Sequence, residues 1–230
     1  MRHRNRIIPL ISVFAPLLLP LPALAIPAIT CHCFTERAYD AARPAAADPY
    51  FLASMQNSFF AQVFHVEKKD IVLAKQQGTS ADDLWVAYAV AARTGVSPKS
   101  LLQAKRENEP WRVALAAAGG RPQATGPRLA NALQASAPTA RLAETVVDDL
   151  LIRYRLLADR ELAALRQAGA TNQELIMAAV IAAKIGQPAR QLLMQVKGDA
   201  KTWGALLQGA KIDTKNLQQE IARILSRPPA

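Results

Sequence analysis

The chain has 230 residues, with 28 Lys and Arg against 18 Asp and Glu for a formal net charge of +10; 51% of residues are hydrophobic and 20% charged. That length holds one or two domains, and that balance excludes a disordered chain. Two cysteines exclude a disulfide-dense scaffold, and three histidines leave little for a multi-histidine metal site.

Residues 1–25 read as a secretory signal peptide. Arg2, Arg4 and Arg6 precede an uncharged apolar stretch, and Ala23-Leu24-Ala25 supplies the small residues of a cleavage site. Four prolines, at 9, 16, 20 and 22, argue against a stable spanning helix in the same stretch. Cleavage after Ala25 would lower the net charge from +10 to +7 by removing three arginines. The expected destination is the periplasm or the medium.

Residues 26–47 are expected to form an extended strap carrying Cys31-His32-Cys33. Three readings of that triplet stay open. The thiolates can take a soft metal such as copper(I) or zinc with His32 assisting, although one Cys-x-Cys is too few ligands for a closed site. They can cycle between dithiol and a strained, easily reduced bridge. They can form a structural bridge, the usual fate of exported cysteines and the leading reading. No cofactor is expected other than a metal ion at that triplet.

Beyond the strap the sequence repeats itself. Residues 71–78 (IVLAKQQG) align with 162–169 (LAALRQAG), and at the same offset Gly95 falls on Gly186 and Leu101-Leu102 on Leu192-Leu193. One inserted residue then brings Trp111 onto Trp203. The pattern predicts a first helical unit over 48–120, a linker over 121–140 with one helical turn near Leu129–Leu133, and a second unit with a C-terminal helix over 141–230. Asp48-Pro49, Ser80-Ala81, Ser97-Pro98 and Glu109-Pro110 read as helix starts, and Gly78, Gly95 and Gly119-Gly120 as stops. No stretch alternates with period two, so the fold class is all-α, as two tandem related units behind the N-terminal strap. The middle helix of each unit has two adjacent apolar stripes rich in alanine, which predicts burial on more than one side.

Every phenylalanine after the signal segment lies between 34 and 64, and Phe51, Phe59, Phe60 and Phe64 share one helix. Core packing is the first explanation, and a partner-binding face built on those four is the second. His65 has no nucleophile or carboxylate placed beside it by any motif and reads as a surface or helix-terminal residue. Asp82-Asp83 and Asp148-Asp149 read as helix-start carboxylates complementing the dipole. Trp111 and Trp203 read as a repeated packing element. Residues 121–230 hold fifteen Lys and Arg against nine Asp and Glu, interspersed and never in a run. Nucleic acid is not an expected partner, since no stacking platform or basic groove pattern is present.

A Cys31-His32-Cys33-Phe34 start followed by two related units resembles uncharacterised exported bacterial helical proteins of that organisation. The resemblance spans most of the mature chain and implies no activity. The functional expectation is an interaction or scaffold protein of the cell envelope, without an evident catalytic site and more a binder than an enzyme. Its partner is expected to be a protein, membrane contact is at most peripheral, and self-association is left open. The alternative is a thiol redox or soft-metal-handling protein acting through Cys31 and Cys33. An enzyme whose site is assembled from residues far apart in sequence is the third class.

Overall fold

Helix ends in this chain are set by local chemistry. Pro49 occupies the first turn of α1 (Asp48–Phe64), where a missing N–H costs nothing. The helix stops at His65, whose left-handed backbone (φ 55°) returns its amide to the Ala61 carbonyl. After α2 (Lys68–Gln76), the Ser80 hydroxyl accepts the Asp83 amide at 2.9 Å to open α3 (Ala81–Thr94), which Gly95 ends in the left-handed region. Ser97 caps α4 (Pro98–Glu107), and α5 (Trp111–Ala117) follows Pro110. The computed structural model describes residues 34–226, and twelve α-helices with no strand make up that part of the chain. It is all-α, as the sequence pattern predicts.

The second half repeats the bounds of the first. After α6 (Pro127–Gln134) and α7 (Thr139–Arg153) come α8 (Asp159–Gln167) and α9 (Asn172–Ile185), each 91 residues beyond α2 and α3. α9 opens with a full capping box, Thr171 against Glu174, and closes on Gly186 in the left-handed region. α10 (Ala189–Lys197), α11 (Trp203–Gly209) and α12 (Leu217–Leu225) complete the chain.

Packing does not follow the tandem order. α1 lies on α9, α11 and α12 of the second half, and α7 lies on α3 and α6. Each half thus sends its first helix onto the middle helix of the other. α9 accommodates this because Leu175 through Ala182 are all buried, with three alanines that admit close backbone approach. α1 is likewise enclosed over most of its length: Met55 and Phe59 are fully buried, and so are the polar residues Ser54, Gln56, Asn57 and Ser58. Fully burying side chains the size of Met or Phe stabilises by roughly 1.5–3 kcal/mol each. The Asp48 carboxylate locks the exchange at one end by accepting the amides of Trp203 and Gly204 at 2.9 and 2.8 Å. Gly204 is needed there, because a Cβ would stand 2.8 Å from the Tyr39 ring and 3.1 Å from the Phe51 ring.

Two stretches differ from expectation. Residues 121–140 hold more than a linker: a 3-10 turn at Pro122–Thr125 leads into α6, whose Leu129, Ala130 and Leu133 are buried. The density of Pro and Gly around 119–127 masks this short apolar stripe. The described part of the strap is coiled, with successive turns from Arg43 to Asp40, Ala46 to Arg43 and Asp48 to Ala45. Its last residue, Ala47, is buried in the core.

Candidate binding cleft at the seam between the halves

The C-terminal end of α1 carries an aromatic cluster against α3. The Phe60 ring lies 4.6 Å from Trp85, 4.8 Å from Phe64 and 5.0 Å from Tyr88, all tilted or edge-on, the favourable geometries for such rings. Phe60 and Trp85 are buried; Phe64 and Tyr88 are half-buried. Phe64 opens into a cleft of about 370 Å³ where α1, α3, α6 and α7 meet. Its apolar wall continues through Ala89, Leu129, Val146 and Leu150. Because α1 and α7 are the two exchanged helices, the cleft exists only where the halves interlock.

The rim is charged. Arg93 comes from α3, and Asp149 and Arg153 come from α7. Gly126 shapes this edge: its backbone is at φ 91°, and a Cβ there would stand 2.6 Å from the Arg93 guanidinium. Glycine thus lets Arg93 lie across the loop. Thr125, fully buried, donates its hydroxyl to the Pro122 carbonyl at 2.6 Å and fixes the turn beneath. Burial raises the pKa of Asp149, while Arg128, 3.5 Å away, and Arg93 pull it back. Arg128 also pairs with Asp159. Neither Arg93 nor Arg153 forms an ion pair among the described residues. The cleft therefore presents an apolar wall beneath two guanidinium groups and one carboxylate that Arg128 and Arg93 offset.

The expected site residues fall in different places. Cys31, His32 and Cys33 lie outside the described residues. Phe34, the first described residue, packs its ring edge-on against Tyr50 at 5.9 Å, at the far end of α1 from the cleft. Tyr50 is roughly 20 Å along the helix from Phe64 at 1.5 Å rise per residue. Phe51, Phe59 and Phe60 are buried and offer no exposed face to a partner, whereas Phe64 lines the cleft. His65 is an exposed helix cap. Trp111 and Trp203 are buried in equivalent places, and the Trp111 ring donates to Asp83 at 3.0 Å. Asp82 and Asp83 stand in the first turn of α3 as expected. Asp148 and Asp149 do not begin a helix. They sit in the second half of α7, where Asp148 pairs with Arg166 at 2.6 Å. Arg93 and Arg153 carry no local signal in the sequence; only the meeting of α3 with α7 brings them together.

A paired site in the two halves shows how far they diverge. Asn57 and Lys75 occupy the places that Asp148 and Arg166 hold 91 residues later. The Lys75 ammonium donates to the Asn57 carbonyl at 2.6 Å and lacks the carboxylate its counterpart has. Burial drives its pKa down to about 8, with Asp82 opposing the shift.

Among the described residues, no group of three or more His, Cys, Asp or Glu could hold a metal ion, and no helix is long and apolar enough to cross a membrane. Comparison with known protein families, curated proteins and solved structures finds no match for the chain.

Proposed function

We propose that this is an exported interaction protein of the cell envelope, and that the seam cleft receives a protein segment bearing an apolar side chain beside a carboxylate. The observation that carries the reading is the cleft's composition. Phe64, Leu129 and Leu150 form a wall that can take an apolar side chain, and Arg93 and Arg153 stand at its mouth without a close ion pair, Arg93 acting on Asp149 only at longer range. Guanidinium groups favour carboxylates by bidentate hydrogen bonding, and apolar clefts with a few convergent polar groups are where ligands bind. The basic surplus of residues 121–230 would speed encounter with an acidic partner.

The test is site-specific photo-crosslinking in the native envelope. A crosslinking side chain at Ala92, exposed on the cleft wall, should give one dominant protein adduct. The same group at Leu73, half-exposed on α2, should not. Changing Arg93 and Arg153 together to Glu should abolish the adduct while the protein still melts cooperatively, at a somewhat lower temperature because Arg93 no longer offsets the charge of Asp149. An adduct that survives the charge reversal, or is the same from Leu73, would sink the reading.

A further inference from the structure

A second groove, of about 510 Å³, lies away from the seam. It is bounded by the start of α2, the start of α12 and the face of α1 that carries Ser58 and Gln62. Both helices are nine residues long, and neither has a side-chain cap at its N-terminus. The first amides of each therefore have no intrahelical partner, and each helix end carries partial positive charge. Lys68 is the first residue of α2, and Lys215 lies two residues before α12; both line the groove. The Lys68 ammonium has no carboxylate partner among the described residues, and that of Lys215 acts at longer range on Asp213 of its own loop.

A third group points to a ligand independently of the helix ends. Ser58 lines the groove and is fully buried, yet its Oγ has no hydrogen-bond partner. A buried hydroxyl without a partner costs about 1–3 kcal/mol, and a bound acceptor would remove that cost. Burial also lowers the pKa of Lys68, whose charge has no counter-ion to offset the loss of water. The opposing carboxylate at this groove is Glu67, which is exposed. Asp213 is turned to its own loop, accepting the Lys215 amide at 2.9 Å and the Asn216 side chain at 2.7 Å; those bonds, with a smaller contribution from the Lys215 charge, hold its pKa down, so it competes only in part for that ammonium.

We propose that this groove binds a phosphate-type oxyanion, with Ser58 donating from the floor and the starts of α2 and α12, Lys68 and Lys215 surrounding it. Helix N-termini with adjacent cations are a recurrent way of holding such groups. The phosphate can be free or can belong to a lipid head group.

The experiment titrates the full chain with inorganic phosphate, followed by calorimetry and phosphorus NMR, and in parallel with phosphatidylglycerol vesicles, followed by sedimentation. Saturable binding of either probe is expected; vesicles alone would identify the lipid head group as the source, and free phosphate alone the soluble anion. Lys68→Gln and Lys215→Gln should each weaken binding about tenfold, as for loss of a charge-assisted hydrogen bond. Glu67→Gln should tighten it about two- to threefold by removing the like charge. Ser58→Ala is the decisive variant. It removes an unpartnered hydroxyl, so the melting temperature should hold or rise while binding weakens. The proposal is overturned if neither probe binds, if Ser58→Ala leaves binding unchanged, or if Lys99→Gln, on the exposed part of α4, weakens it as much as Lys68→Gln does.

Discussion

The pair Asn57–Lys75 shows how one atom changes the pH response of the fold. Lys75 sits buried with a neutral partner, so its folded pKa falls to about 8 from an ordinary 10.5. Below pH 8 the residue is protonated in both the folded and unfolded states, and the cost of burying the charge is fully felt. Between 8 and 10.5 the unfolded chain holds the proton more tightly than the native one, so stability rises with pH. The rise from this group is on the order of 3 kcal/mol. Asn57→Asp would rebuild the carboxylate that Asp148 offers Arg166. With a carboxylate beside it Lys75 should stay protonated to higher pH, and the variant should lack the rise, its stability staying nearly flat from pH 8 to 10. Urea unfolding of both proteins at pH 7, 8, 9 and 10 reads the difference. Parallel curves would mean that Lys75 is not held as a buried, unpaired ammonium.

Among elements, α9 is, with α1, the most enclosed. Eight consecutive residues from Leu175 to Ala182 are buried, and Ala178 and Ala179 are fully so. A larger side chain there has no solvent to turn into. Ala179→Leu should lower stability by about 1–3 kcal/mol through overpacking, with a smaller loss for Ala182→Leu, which is 9% exposed. Equal melts for wild type and Ala179→Leu would contradict the closeness of α9 to its neighbours. The sequence was enough to locate α9, because it repeats α3 at an offset of 91 residues with Gly186 at its end, and two apolar stripes mark it as enclosed. α6 was harder. Its apolar stripe is only Leu129, Ala130 and Leu133, and Pro122, Gly126 and Pro127 next to it read as a linker. Asp148 and Asp149 were misplaced for a related reason. Nothing before Thr139 marks a helix start except Pro138, so the paired acids looked like the first turn when they are the third.

At the scale of the whole molecule, the exchange of α1 and α7 decides where the cleft lies, and no local pattern announces it. A period of 91 residues gives α1 and α7 matching apolar faces, and either half could in principle receive either helix. What distinguishes them is what each carries at equivalent places. α1 brings Gln56, Asn57 and Ser58 where α7 brings Val147, Asp148 and Asp149, and Phe59-Phe60 where α7 has Leu150-Leu151. The choice is made by long-range fit, such as the Asp48 carboxylate on the amides of Trp203 and Gly204. The alternative, each helix folding back on its own half, would leave that carboxylate and the α9 surface without their partners. Chain cleavage separates the two arrangements. Cutting after Gly119, an exposed glycine, gives pieces spanning 34–119 and 120–226. With exchange, the first piece alone must expose Phe51, Met55 and Phe59, and the second must uncover α9. Neither should melt cooperatively by itself, while the two expressed together should co-purify in equal amounts and melt as one. A sharp, independent melt of either piece would mean that its first helix folds back within its own half, and the seam cleft, built from both exchanged helices, would then have no basis.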